Sequence, residues 1–184
     1  MAATKFHIRD AEEAKGDAQF ISDAFDSAIP VLVSTGSGGQ WGSDPLSSDP
    51  EFKGKVKKML HDVREYRKSG EGSAVEAFVA EVDLPEGTRF EHVGDDGKMG
   101  VAATVWREDW WPDYMREPEH LADVVKEEKN WAYLHLLISD YRAGEFRKGA
   151  GAALVEKAKA RAKARGKGRL YVDCWAGNDR KLVR

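Results

Sequence analysis

The chain has 184 residues, 41% of them hydrophobic, which is enough for one domain built around a real core. Its formal net charge of -3 gives no global attraction to nucleic acid, and its one cysteine, Cys174, excludes an intramolecular disulfide and a cysteine-rich zinc site. The start, Met1-Ala2-Ala3-Thr4-Lys5, has no apolar signal core and no run approaches membrane-spanning length, so a soluble, cytoplasmic protein with no membrane partner is expected.

In chain order, Phe6-His7-Ile8-Arg9 alternates as a short strand. A helix fits 11–28, with Ala18, Ile21, Ala24, Phe25 and Ala28 on one side and Pro30 placed to end it. Residues 33–50 are rich in Gly and Ser and read as a loop carrying Trp41. Its Ser-Thr-Gly-Ser-Gly-Gly run at 34–39 lacks the strand–loop–helix setting of a phosphate cradle and reads as flexible connection. The next helix has the clearest signals: Asp49 as N-cap, Pro50 at its first position and Gly70 as its stop. Phe52, Val56, Met59, Leu60 and Val63 form its apolar stripe, and Lys53, Lys55, Lys57 and Lys58 lie mostly off it as a solvated face.

Strands are predicted over 77–82 and 100–107, around turn signals at Glu86-Gly87 and Gly94-Asp95-Asp96-Gly97, with a further short strand over 88–93. Between 108 and 130 the chain is acidic and aromatic: Trp110, Trp111 and Tyr114 stand among Glu108, Asp109 and Asp113, and Leu121, Val124 and Val125 signal a helix after Pro118. Two readings stay open for these rings, a pocket wall for a cationic amine or a cap on the core at a sheet edge.

The stretch 131–154 organises the rest. An apolar strand over 134–138 leads through a turn into the basic, glycine-spaced loop Phe146-Arg147-Lys148-Gly149-Ala150-Gly151. A helix over 151–165 follows, with Leu154, Val155, Ala158 and Ala162 at helical spacing and Gly166 at its end, and then a strand over 169–175. Such a loop leaves backbone N–H groups unpaired at the positive end of the helix, beside Arg147 and Lys148, which predicts an anion site for a phosphate-bearing ligand. The nucleotide-hydrolase loop G-x-x-x-x-G-K-[ST] is absent, and Ala152-Ala153 breaks the dinucleotide fingerprint G-x-G-x-x-G.

The loop, its leucine at 154 and the following strand with Ala176-Gly177-Asn178 resemble the GNAT superfamily of acyl-CoA-dependent N-acetyltransferases, whose motif is [Q/R]-x-x-G-x-[G/A]. Phe146 stands at the motif's first position, which shifts the basic side chain to Arg147. The resemblance implies an α/β fold of the α+β type, a central mixed sheet flanked by helices over 1–184, shortened at its C-terminus. It implies acetyl-CoA as cosubstrate, no metal, and direct attack by the amine of a small-molecule acceptor. Residues 136–138 (Leu136, Leu137 and Ile138) would pair with the pantetheine arm, while Phe146, Arg147, Lys148, Gly149, Ala150, Gly151 and Ala152 would hold the pyrophosphate and Asn178 would touch the arm.

Glu108 and His135 are the candidate general bases, with Asp173 a weaker one, and Trp41, Trp110, Trp111 and Tyr114 are candidate acceptor contacts. The family's general-acid tyrosine has no counterpart before Arg184, so the expectation is a shortened product or a second copy of the chain covering the open edge of the last strand. Two other functions stand beside acetyl transfer: a CoA-binding domain without turnover, and nucleic-acid binding through the basic helix 151–165.

Overall fold

The computed structural model describes residues 5–85, 90 and 97–180. Apart from Phe90 and Gly97, the strand predicted over 88–93 and the turns flanking it lie outside the described residues. Five strands form one mixed sheet in sequence order: β1 (His7–Asp10), β2 (Val75–Asp83), β3 (Lys98–Glu108), β4 (Trp131–Ser139) and β5 (Arg169–Tyr171). The first four pair antiparallel and β5 joins β4 in parallel. This is the α+β, helix-flanked arrangement expected from the sequence.

Alternation along β2 divides the core between two faces. Val75, Ala77 and Val79 meet α1 (Asp17–Ser34) and α2 (Pro50–Ser69), through Ile21, Ala24, Val56, Leu60 and Val63. Phe78, Ala80 and Val82 point the other way, toward Leu154, Ala158 and Ala162 of α4 (Ala150–Ala164). A short helix, α3 (Ala122–Glu127), lies in the segment between β3 and β4. The alanine stripe of α4 lets that helix approach the sheet closely. No described helix is long and apolar enough to cross a membrane.

α2 follows its sequence signals: the Asp49 carboxylate accepts the Glu51 N–H at 2.8 Å, and Gly70 closes the helix at φ +68. α1 departs from its expected bounds at both ends. It starts at Asp17, after Gly16 at φ +75, because buried Asp17 accepts the Glu12 N–H at 2.7 Å and a paired grip from Arg9 at 2.6 and 2.9 Å. It continues through Pro30 to Ser34, since the proline is exposed and Leu32 beyond it still packs on the core. Tertiary burial here outweighs the roughly 3 kcal/mol cost of an interior proline.

Two expectations at the C-terminal end are corrected. β5 stops at Tyr171, and its three residues leave only a short outer edge. Gly177–Arg180 is a tight turn with Asn178 and Asp179 at φ 51 and φ 54, so it does not begin a regular helix.

Leu154 is fully buried at the contact of α4 with the sheet. Leu154→Ala is expected to lower unfolding stability by about 3 kcal/mol, read as a lower urea midpoint at unchanged slope.

Candidate active site

β4 runs beside β3 from Ala132 to Ser139, with one irregularity: Val105 faces Leu136 and Trp106 faces Leu134, so His135 has no partner. This bulge reverses the usual alternation, and Leu134 packs on the α4 face while Leu136 packs on the α1–α2 face. On its other edge β4 pairs with β5 only from Trp131 to Tyr133. Beyond Tyr133 the two chain segments separate, and a cleft of ≈ 900 Å³ opens between them. β4 residues 134–139 form one wall and residues 172–175 another.

At one end of the cleft stand Arg147 and Gly151. Gly149, at φ +90, caps α4, and the N–H groups of the helix's first turn have no partner within the helix. The Arg147 guanidinium lies 3.9 Å from the Tyr141 ring centre, and its Nε is buried with no hydrogen-bond partner among the described residues. A Cβ added at Gly151 would meet nothing within 4 Å, so the backbone there borders open space. Lys148 is tied to Glu145 at 2.6 Å on the surface, and the Ala150 side chain is buried in the core. The Phe146 ring lies away from the cleft: it meets Phe90 at 5.8 Å and packs, partly buried, against the core on the α4 face. Neither residue 146 nor residue 152 lines the cleft.

The other end is aromatic. Trp41, Trp110 and Tyr114 line it, and Trp110 lies over His135 with ring centres 4.4 Å apart. The His135 Nδ1 is buried with no hydrogen-bond partner among the described residues. Burial, with the positive charge of Arg107 second, pulls the imidazole down to about 4. Asp173 accepts hydrogen bonds from the Tyr133 hydroxyl and, at 3.0 Å, from the Tyr114 hydroxyl. Burial pushes both phenols up, seconded by the Asp173 carboxylate at Tyr133 and partly offset at Tyr114 by its bond with the Tyr133 hydroxyl, so both remain donors. Among the described residues no group of His, Cys, Asp and Glu is arranged to hold a metal ion.

Three further expected contacts lie elsewhere. Glu108 is buried at the end of β3 in an ion pair with Arg165 and another with Lys167 at 3.5 Å, so it faces α4 and not the cleft. Trp111 stacks on Trp131 at 4.0 Å in a separate aromatic cluster, which is the core-capping reading of that segment. Asn178 donates to the Thr35 carbonyl at 2.8 Å and the Ser37 hydroxyl at 2.7 Å. The loop read as flexible connection is thus a seat for the segment after β5. Tyr133 and Arg107 were missed by sequence reasoning. The one available signal was that a tyrosine in a buried strand requires a partner for its hydroxyl.

Three cations of the basic helix and its end are engaged in ion pairs. Arg161 binds Glu76 at 2.5 and 2.8 Å, Arg165 binds Glu108, and Lys159 pairs with Glu156 at 2.7 Å.

No protein-family model matches the chain, and no curated protein matches it in sequence. Among solved structures, a candidate acetyltransferase of the GNAT family from Desulfovibrio desulfuricans is similar at a TM-score of 0.53 and 10% identity, covering 99% of this chain and 80% of its own. A point variant of the BH1408 protein of Bacillus halodurans scores 0.50 at 14% identity, covering 96% and 87%. A transcriptional regulator from Bacillus halodurans C-125 scores 0.50 at 18%, covering 97% and 88%. The chain therefore has the GNAT fold over nearly its whole length.

His135 generates a pH dependence. Its folded pKa of about 4 lies below the unfolded value of 6.5, so its contribution to stability is complete above 6.5 and is lost as pH falls toward 4. Between those limits the native protein is expected to lose about 3 kcal/mol more than His135→Gln does, measured by urea unfolding at stepped pH.

Proposed function

We propose that this chain is an acyl-CoA-dependent N-acetyltransferase, moving an acetyl group from acetyl-CoA to an amine of a small molecule. One observation carries the reading: the gap between diverging β4 and β5 ends, beside a helix start, at an arginine that has no carboxylate partner among the described residues. When bound, the cosubstrate supplies an activated thioester. Arg147 and the first-turn amides of α4 receive its pyrophosphate, and Gly151 leaves room for close approach. The edge of β4 beyond Tyr133 offers N–H and C=O groups to an extended arm, as one strand offers them to another. N–H groups on that edge are the donors that polarise a carbonyl lying in the gap.

A second reading, CoA binding without turnover, is favoured by the two candidate bases. His135 is a weak base at about 4, and Glu108 is held by Arg165 and Lys167. Thiol release measured on a panel of amines separates the two readings, since only the first predicts amine-dependent release.

Both readings are tested together by calorimetric titration with acetyl-CoA. Gly151→Glu is expected to weaken binding roughly 100-fold, by placing a carboxylate against the pyrophosphate. The fold should survive, because a side chain at 151 enters open space. Undiminished binding in that variant would overturn the assignment.

A further inference from the structure

Most of the charged side chains that line the cleft have a partner of opposite charge. Lys55 pairs with Glu51 at 2.7 Å, and Lys58 and Arg107 share Asp62 at 2.8 and 3.2 Å. Two charges are exceptions among the described residues. Arg147 has no carboxylate within ion-pair distance, and Asp173, on the wall that follows β5, has no basic side chain within that distance. Arg147 belongs to the anion end described above. Asp173 is unexplained by it, being exposed to the cleft among Trp110, Tyr114 and His135.

A carboxylate has about four acceptor positions, and the two tyrosine hydroxyls occupy two of them. They orient the group without neutralising it, and neutral His135 does not neutralise it either. The remaining positions suit an ammonium, with the Trp110 and Tyr114 rings as cation-tolerant walls. A carboxylate stabilises an ammonium in its protonated form. The nitrogen held there therefore keeps its proton and lacks the lone pair needed to attack a thioester.

We propose that Asp173, positioned by Tyr133 and Tyr114, binds a non-reacting ammonium of the acceptor, so that the acceptor class is a compound with at least two amino groups. This rests on the acetyl-transfer reading, which it deepens by naming the acceptor. Asp173 acts in recognition and selects the substrate by charge.

The test is calorimetric binding of cadaverine and of pentylamine, which match in carbon chain and differ by one amino group, to the chain with and without saturating CoA. Cadaverine is expected to bind at least 10-fold more tightly, and added salt should reduce that preference. Asp173→Asn should abolish the preference while leaving acetyl-CoA affinity unchanged. The asparagine still offers an oxygen to Tyr133, and a melting curve checks its fold. Equal binding of the two amines, or a preference that survives in a folded Asp173→Asn, overturns the proposal. The salt dependence of the native chain decides the matter should the variant not fold. Failure of acetyl-CoA to bind would instead remove the acetyl-transfer reading, a result distinguishable because amine binding is also measured without CoA.

Discussion

The structure depends on the parting of β4 and β5. Three residues of each strand pair, and after Tyr133 and Tyr171 they separate. An open sheet edge presents N–H and C=O groups that an extended partner can meet as a further strand would. Here that edge is 134–139, the stretch that also forms one wall of the cleft. The bulge at His135 belongs to the same device. It sends Leu134 and Leu136 into opposite cores and leaves the imidazole over Trp110. Both sheet faces are thereby anchored at the point where the edge opens.

Charge placement follows the same division. On the α4 side, Glu76 and Glu108 are buried against Arg161 and Arg165, so a helix that is strongly basic in sequence is fastened to the sheet. Such pairs contribute modestly to stability, since desolvation offsets much of their attraction, yet breaking one strands a buried carboxylate. On the cleft side, the exceptions to pairing among the described residues are Arg147 at the helix start and Asp173 beyond β5. An extended ligand that is anionic at one end and meets a cationic partner at the other complements that arrangement.

Much of the fold was legible residue by residue. Asp49, Pro50 and Gly70 marked α2 because capping is a contact between near neighbours, and the glycine-spaced loop before residue 151 marked the start of α4 to within a residue. The limits of α1 were not legible. Its start is set by the grip of Arg9 on Asp17 and its end by packing around Leu32. Both involve partners outside the local window on which a helix prediction rests. Of the residues singled out in the sequence, His135, Arg147, Gly151, Trp41, Trp110 and Tyr114 line the cleft. Glu108, Trp111, Phe146 and Asn178 were equally plausible by type, but each has its partner elsewhere in the tertiary structure.

By itself the sequence determined the order of elements, the glycine-capped helix after an apolar strand, and the small-residue stripe that seats that helix. These follow from periodicity and capping, which act over a few residues. Only the tertiary structure decided which charges are cancelled and which are left facing the cleft. That question turns on pairs such as Arg165 with Glu108, 57 positions apart, and Arg161 with Glu76, 85 apart, which no local pattern can encode.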